Sequence, residues 1–162
     1  MKNIKNKKFL IGIFFIIFFF FIDRVSKLYV LNILDQQGNV DIYINNYLNI
    51  ILVWNKGIGF GLLSSENHLY YLLITILIVI INLIIVYLIL NEKGIKSFFL
   101  ILILSGSLGN LFDRLYYKAV PDFIDFHYNN YHWFIFNVAD ILITVGVIFL
   151  ITFEVFKIKI NE

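Results

Sequence analysis

The chain has 162 residues, of which 60% are apolar, 19% aromatic and only 15% charged, well below the roughly 25% charged of an average soluble domain. That length suits one domain, and a net charge of +2 with its lysines in small clusters at segment ends offers no basic stripe to track a phosphate backbone, so nucleic acid is not an expected partner. The absence of cysteine excludes disulfides, thiolate metal sites and thiol nucleophiles.

Crossing a bilayer takes about 20 mostly apolar residues, and four such runs are present. The first, residues 9–30, is uncharged from Phe9 to Ile22 and then carries Asp23, Arg24 and Lys27. Lys2, Lys5, Lys7 and Lys8 ahead of it imitate the start of a secretory signal, but no small-residue pair follows, so the run is expected to remain as an anchor. Residues 32–68 alternate weakly at Val40, Ile42 and Ile44 and contain the turn-rich Asn55-Lys56-Gly57-Ile58-Gly59-Phe60-Gly61, which predicts a small sheet-like flap on the membrane. The second run, 69–90, is broken only by Thr75 and Asn82. A short link makes a helical hairpin with the third, 97–113, which ends in Asp113-Arg114. The fourth, 133–156, carries Asn137 and Asp140 near its start. The expected fold is therefore an all-α membrane protein of four transmembrane helices with a small extracytoplasmic β-like flap.

Lysine and arginine in short loops stay on the cytoplasmic side. With four spans, the N-terminal lysines, Lys93 and Lys96, and Lys157 and Lys159 all fall on one side, so both termini are expected in the cytoplasm. Asp23 then lies late in an outward-going helix, Asp113 ends another, and Asp140 begins an inward-going one. All three reach the outer level, although a charge inside a span costs roughly 2.5–3.5 kcal/mol on insertion scales. Acids that only touch headgroups and pair with Arg24, Lys27 and Arg114 would be one explanation. The spacings favour another: Asp23 with Lys27, Asn110 with Asp113 and Arg114, and Asn137 with Asp140 each share a helix face and mix carboxylate with amide, as a hydrogen-bonded site requires.

Without cysteine, a metal cluster or a serine–histidine pair, the chemistry open to such a site is that of two neighbouring carboxylates, one holding a proton while the other activates water. Asp140 is one candidate; for the other, Asp122 and Asp125 in Val120-Pro121-Asp122-Phe123-Ile124-Asp125 are equivalent by spacing. His68, His127 and His132 lack a zinc-like spacing and read as surface or interfacial residues, so no metal and no cofactor are expected.

Five motifs, in order and spacing, resemble those of lipoprotein signal peptidase, or signal peptidase II, over almost the full length. Asp23-Arg24-Val25-Ser26-Lys27 is similar to the family's Asp-x-x-[Thr/Ser]-Lys, and Asn55-Lys56-Gly57-Ile58-Gly59-Phe60 to its Asn-x-Gly-x-Ala-Phe. The stretch from Ser105 to Arg114 resembles its Gly-Gly-x-x-Gly-Asn-x-x-Asp-Arg, Val120 to Ile124 its Val-Val-Asp-Phe-[Ile/Leu], and Phe136 to Asp140 its Phe-Asn-x-Ala-Asp. Departures are Gly59 for alanine, Ser105 for the first glycine, Arg24 for a common glutamine and Pro121 for valine.

The resemblance implies an aspartyl endopeptidase that removes signal peptides from diacylglyceryl-modified prolipoproteins, cutting before the lipidated cysteine. It implies Asp122 and Asp140 as the catalytic pair. Asn55, Gly57, Asn110, Arg114 and Asn137 would line the site or hold substrate, with Asp23, Lys27 and Asp113 in support. The expected setting is the cytoplasmic (inner) membrane, with the site at its outer face. The expected partners are the prolipoprotein and membrane lipid, and the expected state is a monomer. A small transporter or channel subunit, the alternative, needs polar groups along the bundle, whereas the inner halves of these spans hold little beyond Asn82. A scaffold using polar glue between helices is a third reading.

Overall fold

The structure, a computed structural model, describes residues 2–57, 68–129 and 131–161, with no account of the side chains of 2–8 and 157–161. Gly59, Phe60 and Gly61 of the expected flap lie outside the described residues. Among the described residues four helices are long and apolar enough to cross a membrane: α1 (Lys2–Gln37), α2 (His68–Asn91), α3 (Ile95–Tyr117) and α4 (Val138–Asn161). At 36 residues and 1.5 Å per residue, α1 is about 54 Å long and outruns the roughly 30 Å hydrocarbon layer. It continues to Gln37 where the sequence pattern suggests an end near residue 30.

Ring and methyl contacts set the helix directions. Gly12 faces Ile101, Phe15 and Phe19 face Phe98, and Phe20 faces Phe112, so α1 and α3 run parallel. Phe99 stacks on Phe149, while Gly106 meets Ala139, so α4 runs antiparallel to α3. The α3–α4 approach depends on missing side chains. A Cβ on Gly106 would sit 2.3 Å from the Ala139 carbonyl oxygen, and one on Gly146 would sit 2.6 Å from Ile103. Small residues let helix backbones close up where lipid provides no hydrophobic drive.

Four strands form one antiparallel sheet in the order β1 (Asp41–Asn45), β2 (Leu48–Asn55), β3 (Val120–Tyr128), β4 (Tyr131–Phe136). The sheet is larger than the flap expected from the first outer segment, because β3 and β4 come from the second. Residues 133–136, read as the start of the fourth span, belong to β4, and α4 begins only at Val138. Hydropathy cannot separate an apolar strand from the helix it precedes; pairing of Ile124, Asp125 and Phe126 with Phe136, Ile135 and Phe134 decides it. The central β2–β3 pairing ties together segments separated by α2 and α3, and opposes Asn55 to Val120 and Val53 to Asp122. Val30, Ile33, Val40 and Phe123 form a small core that fastens the end of α1 to the sheet.

The molecule is apolar outside and polar within. Exposed side chains along the helices include Phe14, Ile17, Leu83 and Phe149, while Lys27, Asp23, Asp113, Asp122, Asp125 and Asn137 are among the most completely buried. Tyr43, Tyr47, Tyr128, Tyr131 and Trp133 are exposed on the sheet, in the manner of the aromatic belts found at membrane–water boundaries.

Candidate active site

The buried acids divide into two layers. Deeper along α1, the Asp23–Lys27 pair expected from i,i+4 spacing forms at 3.0 Å. Lys27 Nζ also donates to Asp113 Oδ2 at 2.7 Å and to Asn110 Oδ1 at 2.9 Å, which uses all three of its hydrogens. Arg24, named in the sequence as a pairing cation at the span edge but not among the site residues, donates from NH1 to Asp113 Oδ1 at 2.5 Å and from NH2 to Asp113 Oδ2 at 2.8 Å and Asp23 Oδ2 at 3.0 Å. Charge counting was the signal for it: two acids on two spans require a second cation, and Arg24 is the adjacent one. Asp23 Oδ1 accepts from the Ala139 backbone N–H at 3.0 Å, so this cluster also satisfies a donor in the first turn of α4. Gly109 allows the approach, since a Cβ there would lie 2.5 Å from Asp23 Oδ2.

Above this layer, Asp122 on β3 and Asp140 on α4 are held by amides. Asp122 accepts from Asn55 Nδ2 at 2.9 Å and from Asn137 Nδ2 at 2.5 Å. Asp140 accepts from Asn110 Nδ2 at 2.8 Å and from the Asn137 backbone N–H at 3.2 Å. Asn137 and Asp140 do not share a helix face as their spacing suggested. Asn137 is the N-cap of α4: its Oδ1 accepts from the Asp140 N–H at 3.1 Å while the Asp140 carboxylate accepts from the Asn137 N–H. That reciprocal arrangement is a capping box, which satisfies two helix-end donors and fixes the carboxylate's direction. Asn137 thus binds one acid through its side chain and the other through its backbone.

Burial and, next, the negative charge of Asp140 push the Asp122 carboxyl up to about 7, against the downward pull of its hydrogen bonds to Asn55 and Asn137 and the charge of Lys27. Two acids so placed hold a proton between them near neutrality and can act as acid and base. A mostly apolar cleft of about 230 Å³, lined by Phe136, Asp140, Ile141, Thr144 and Val145, opens beside Asp140.

Asn55, Gly57 and Arg114 come together at the edge. Asn55 Oδ1 accepts from the Gly57 N–H at 2.8 Å, and Arg114 NH2 donates to the Gly57 carbonyl. Tyr71 fixes the end of α3 by donating its hydroxyl to the Arg114 carbonyl at 2.9 Å. Arg114 is 3% exposed, and its Nε and NH1 have no hydrogen-bond partner among the described residues. Asp125, the rival for the second acid, faces away: on a regular strand it alternates with Asp122, and its carboxylate meets His132 and His127 instead.

Fold and site together define a polytopic membrane protein with a pair of amide-held carboxylates at one end of its helices. The family description Signal peptidase (SPase) II matches residues 15–156. Lipoprotein signal peptidase of Pelagibacter ubique (strain HTCC1062) is 47% identical over 100% of this chain and 99% of its own. That of Anaplasma phagocytophilum (strain HZ) is 38% identical over 93% and 96%. A bacterial membrane enzyme solved by the in meso method superposes with a TM-score of 0.73 at 28% identity, covering 93% of this chain and 90% of that one. The chain belongs to the signal peptidase II family.

Proposed function

We propose that Asp122 and Asp140 are the catalytic pair of an aspartic endopeptidase that removes the signal peptide from diacylglyceryl-modified prolipoproteins, cutting before the lipidated cysteine. The class of activity, cleavage of lipoprotein signal peptides by an aspartic peptidase, follows from the family. The observation that carries the residue assignment is the bridging of the two acids by Asn137, which leaves them amide-bound with no basic side chain hydrogen-bonded to either among the described residues.

In this reading the ionised member takes a proton from water as the water attacks the scissile carbonyl, and the protonated member donates to the developing oxyanion. Collapse of the tetrahedral diol breaks the C–N bond: one acid protonates the leaving amine while the other takes the proton of a diol hydroxyl, so the pair ends, as it began, with one proton. The free N–H groups of Arg114 beside Gly57 support a role for both in holding substrate backbone. The apolar cleft beside Asp140 suits side chains near the cut.

Both termini are assigned to the cytoplasm and the site to the outer face of the cytoplasmic membrane, on the lysine distribution and the exposed aromatics of the sheet. The chain acts as one unit and as a monomer, a reading supported by the whole set of site groups coming from a single chain. Among the described residues the buried charged groups gather at one end of the bundle, and the buried polar groups farther along the spans, Asn82 in α2 and Ser105 in α3, are neutral, which does not favour an ion path.

The decisive experiment is a gel-shift cleavage assay on purified diacylglyceryl prolipoprotein, with Asp122→Asn, Asp140→Asn and unlipidated substrate in parallel. Loss of cleavage in both variants, with unlipidated substrate untouched, is expected. Cleavage by either folded variant at the wild-type rate would sink the assignment.

A further inference from the structure

On the face of β3 turned away from the catalytic pair lies a second cluster that the peptidase reaction does not use. Asp125, His127 and His132 each bring one ligand atom within 4.8 Å of the others. Asp125 and His127 share a face by strand alternation. His132 is brought opposite His127 by an irregularity in β4: Phe126 pairs with Phe134, but the next residue, His127, pairs with His132, leaving Trp133 as the extra residue of a bulge. The sequence spacing of the histidines gave no hint of this, because the bulge and the hairpin, rather than helix periodicity, put them together.

The cluster is poorly explained as a simple ion pair. His132 Nδ1 already lies 2.9 Å from both oxygens of Asp125, which satisfies one acid with one base. A second imidazole is nonetheless present: His127 Nδ1 stands 3.3 Å from the same Oδ2, and the two rings stack with centroids 5.3 Å apart. His127 is 8% exposed and its Nδ1 makes no hydrogen bond among the described residues. Two stacked rings thus aim nitrogens at one fully buried carboxylate, more donor atoms than a single ion pair needs.

We propose that Asp125, His127 and His132 bind a divalent transition-metal ion of the zinc type, which staples β3 to β4. Two imidazole nitrogens and a carboxylate are a borderline donor set suited to Zn²⁺. Tetrahedral zinc with bonds of about 2.0–2.1 Å separates its ligand atoms by roughly 3.4 Å; the two nitrogen-to-carboxylate spacings, 2.9 and 3.3 Å, lie close to that, and all three ligand atoms fall within 4.8 Å of one another. The His132 side chain is 51% exposed, and a cavity of about 480 Å³ borders His127 beside Tyr47 and Tyr128; together they give the ion a route in and room for water as fourth ligand. Asp125 is three residues from Asp122, about 10 Å along the strand, and β4 runs directly into Asn137. The staple therefore stiffens the hairpin whose open end carries both Asp122 on β3 and the α4 cap that follows β4, without taking part in the chemistry.

The test uses full-length protein in detergent, purified without a polyhistidine tag and stripped with chelator, titrated with Zn²⁺ by calorimetry and with Co²⁺ by visible absorption. One ion per chain is expected, with tetrahedral-type Co²⁺ bands and slower amide exchange across β3 and β4. His132→Ala, at a half-exposed position, weakens Zn²⁺ binding roughly 100-fold or more, and His127→Gln abolishes the cobalt spectrum. No saturable binding up to about 1 mM Zn²⁺, or binding equally tight in folded His132→Ala, would overturn the proposal. Because the readout is binding, failure here leaves the peptidase assignment standing, and loss of the peptidase assignment leaves this site to be judged on its own titration.

Discussion

Two groups of buried acids occupy neighbouring layers of this protein and are solvated in opposite ways. Asp23 and Asp113 face Lys27 and Arg24 in a quartet whose formal charges cancel, with cation–carboxylate contacts of 2.5–3.0 Å. Asp122 and Asp140 receive only amide N–H groups among the described residues. A cation next to a carboxylate stabilises its charged form and removes its tendency to exchange a proton; amides orient a carboxylate while leaving it free to gain or lose one. One layer is suited to holding three helices at fixed distance. The other is suited to proton transfer.

The comparison is broken most directly at the acids themselves. Asp122→Asn or Asp140→Asn is expected to lower kcat by roughly three orders of magnitude or more while retaining helical circular dichroism and cooperative unfolding. A residual rate within tenfold of wild type would remove the distinction between the layers. In the other layer, Lys27→Met leaves two acids with one cation in a site where the lysine is 0% exposed. It should cost about 3–5 kcal/mol of stability, read as a large drop in Tm or in folded yield. An unchanged Tm with reduced kcat would instead make Lys27 part of the chemistry.

Asn137→Ala cuts both the side-chain bond to Asp122 and the α4 cap. A loss of about 1 kcal/mol in stability is expected from the cap, together with up to about 100-fold in kcat from the misplaced pair. A change in KM alone would point to substrate binding rather than positioning.

A further effect is in pH dependence. Asp122 has its carboxyl raised from 3.8 to about 7, so between those values the folded chain binds a proton that the unfolded chain has lost. Stability contributed by this group is therefore greatest at the acid end and falls as pH rises through about 7. Thermal unfolding between about pH 4.5 and 7.5 should show that slope in the wild type and a flatter one in Asp122→Asn; parallel curves would count against a raised Asp122. Cleavage should decline over the same upper limb as the pair loses its last proton.

Much of this was written into the chain. Runs of apolar residues long enough to cross a bilayer predict the four helices, because lipid requires each backbone polar group to be satisfied within its own segment. Carboxylates and amides at one end of three runs mark the layer in which the site forms, and Lys27 reaches Asp23 as i,i+4 spacing dictates. Tertiary structure decided the remainder. The β2–β3 pairing joins segments two helices apart, which no local pattern encodes, and it turns Asp122 towards Asn137 while sending Asp125 to the opposite face. Residues 133–136 became a strand because partners on β3 were available to them. Arg24 acquired its role only when α3 packed alongside α1 and placed Asp113 within reach. Hydropathy is a property of each residue in its solvent and can be read one segment at a time; hydrogen-bond partners depend on which segments meet, and that is fixed only by the folded whole.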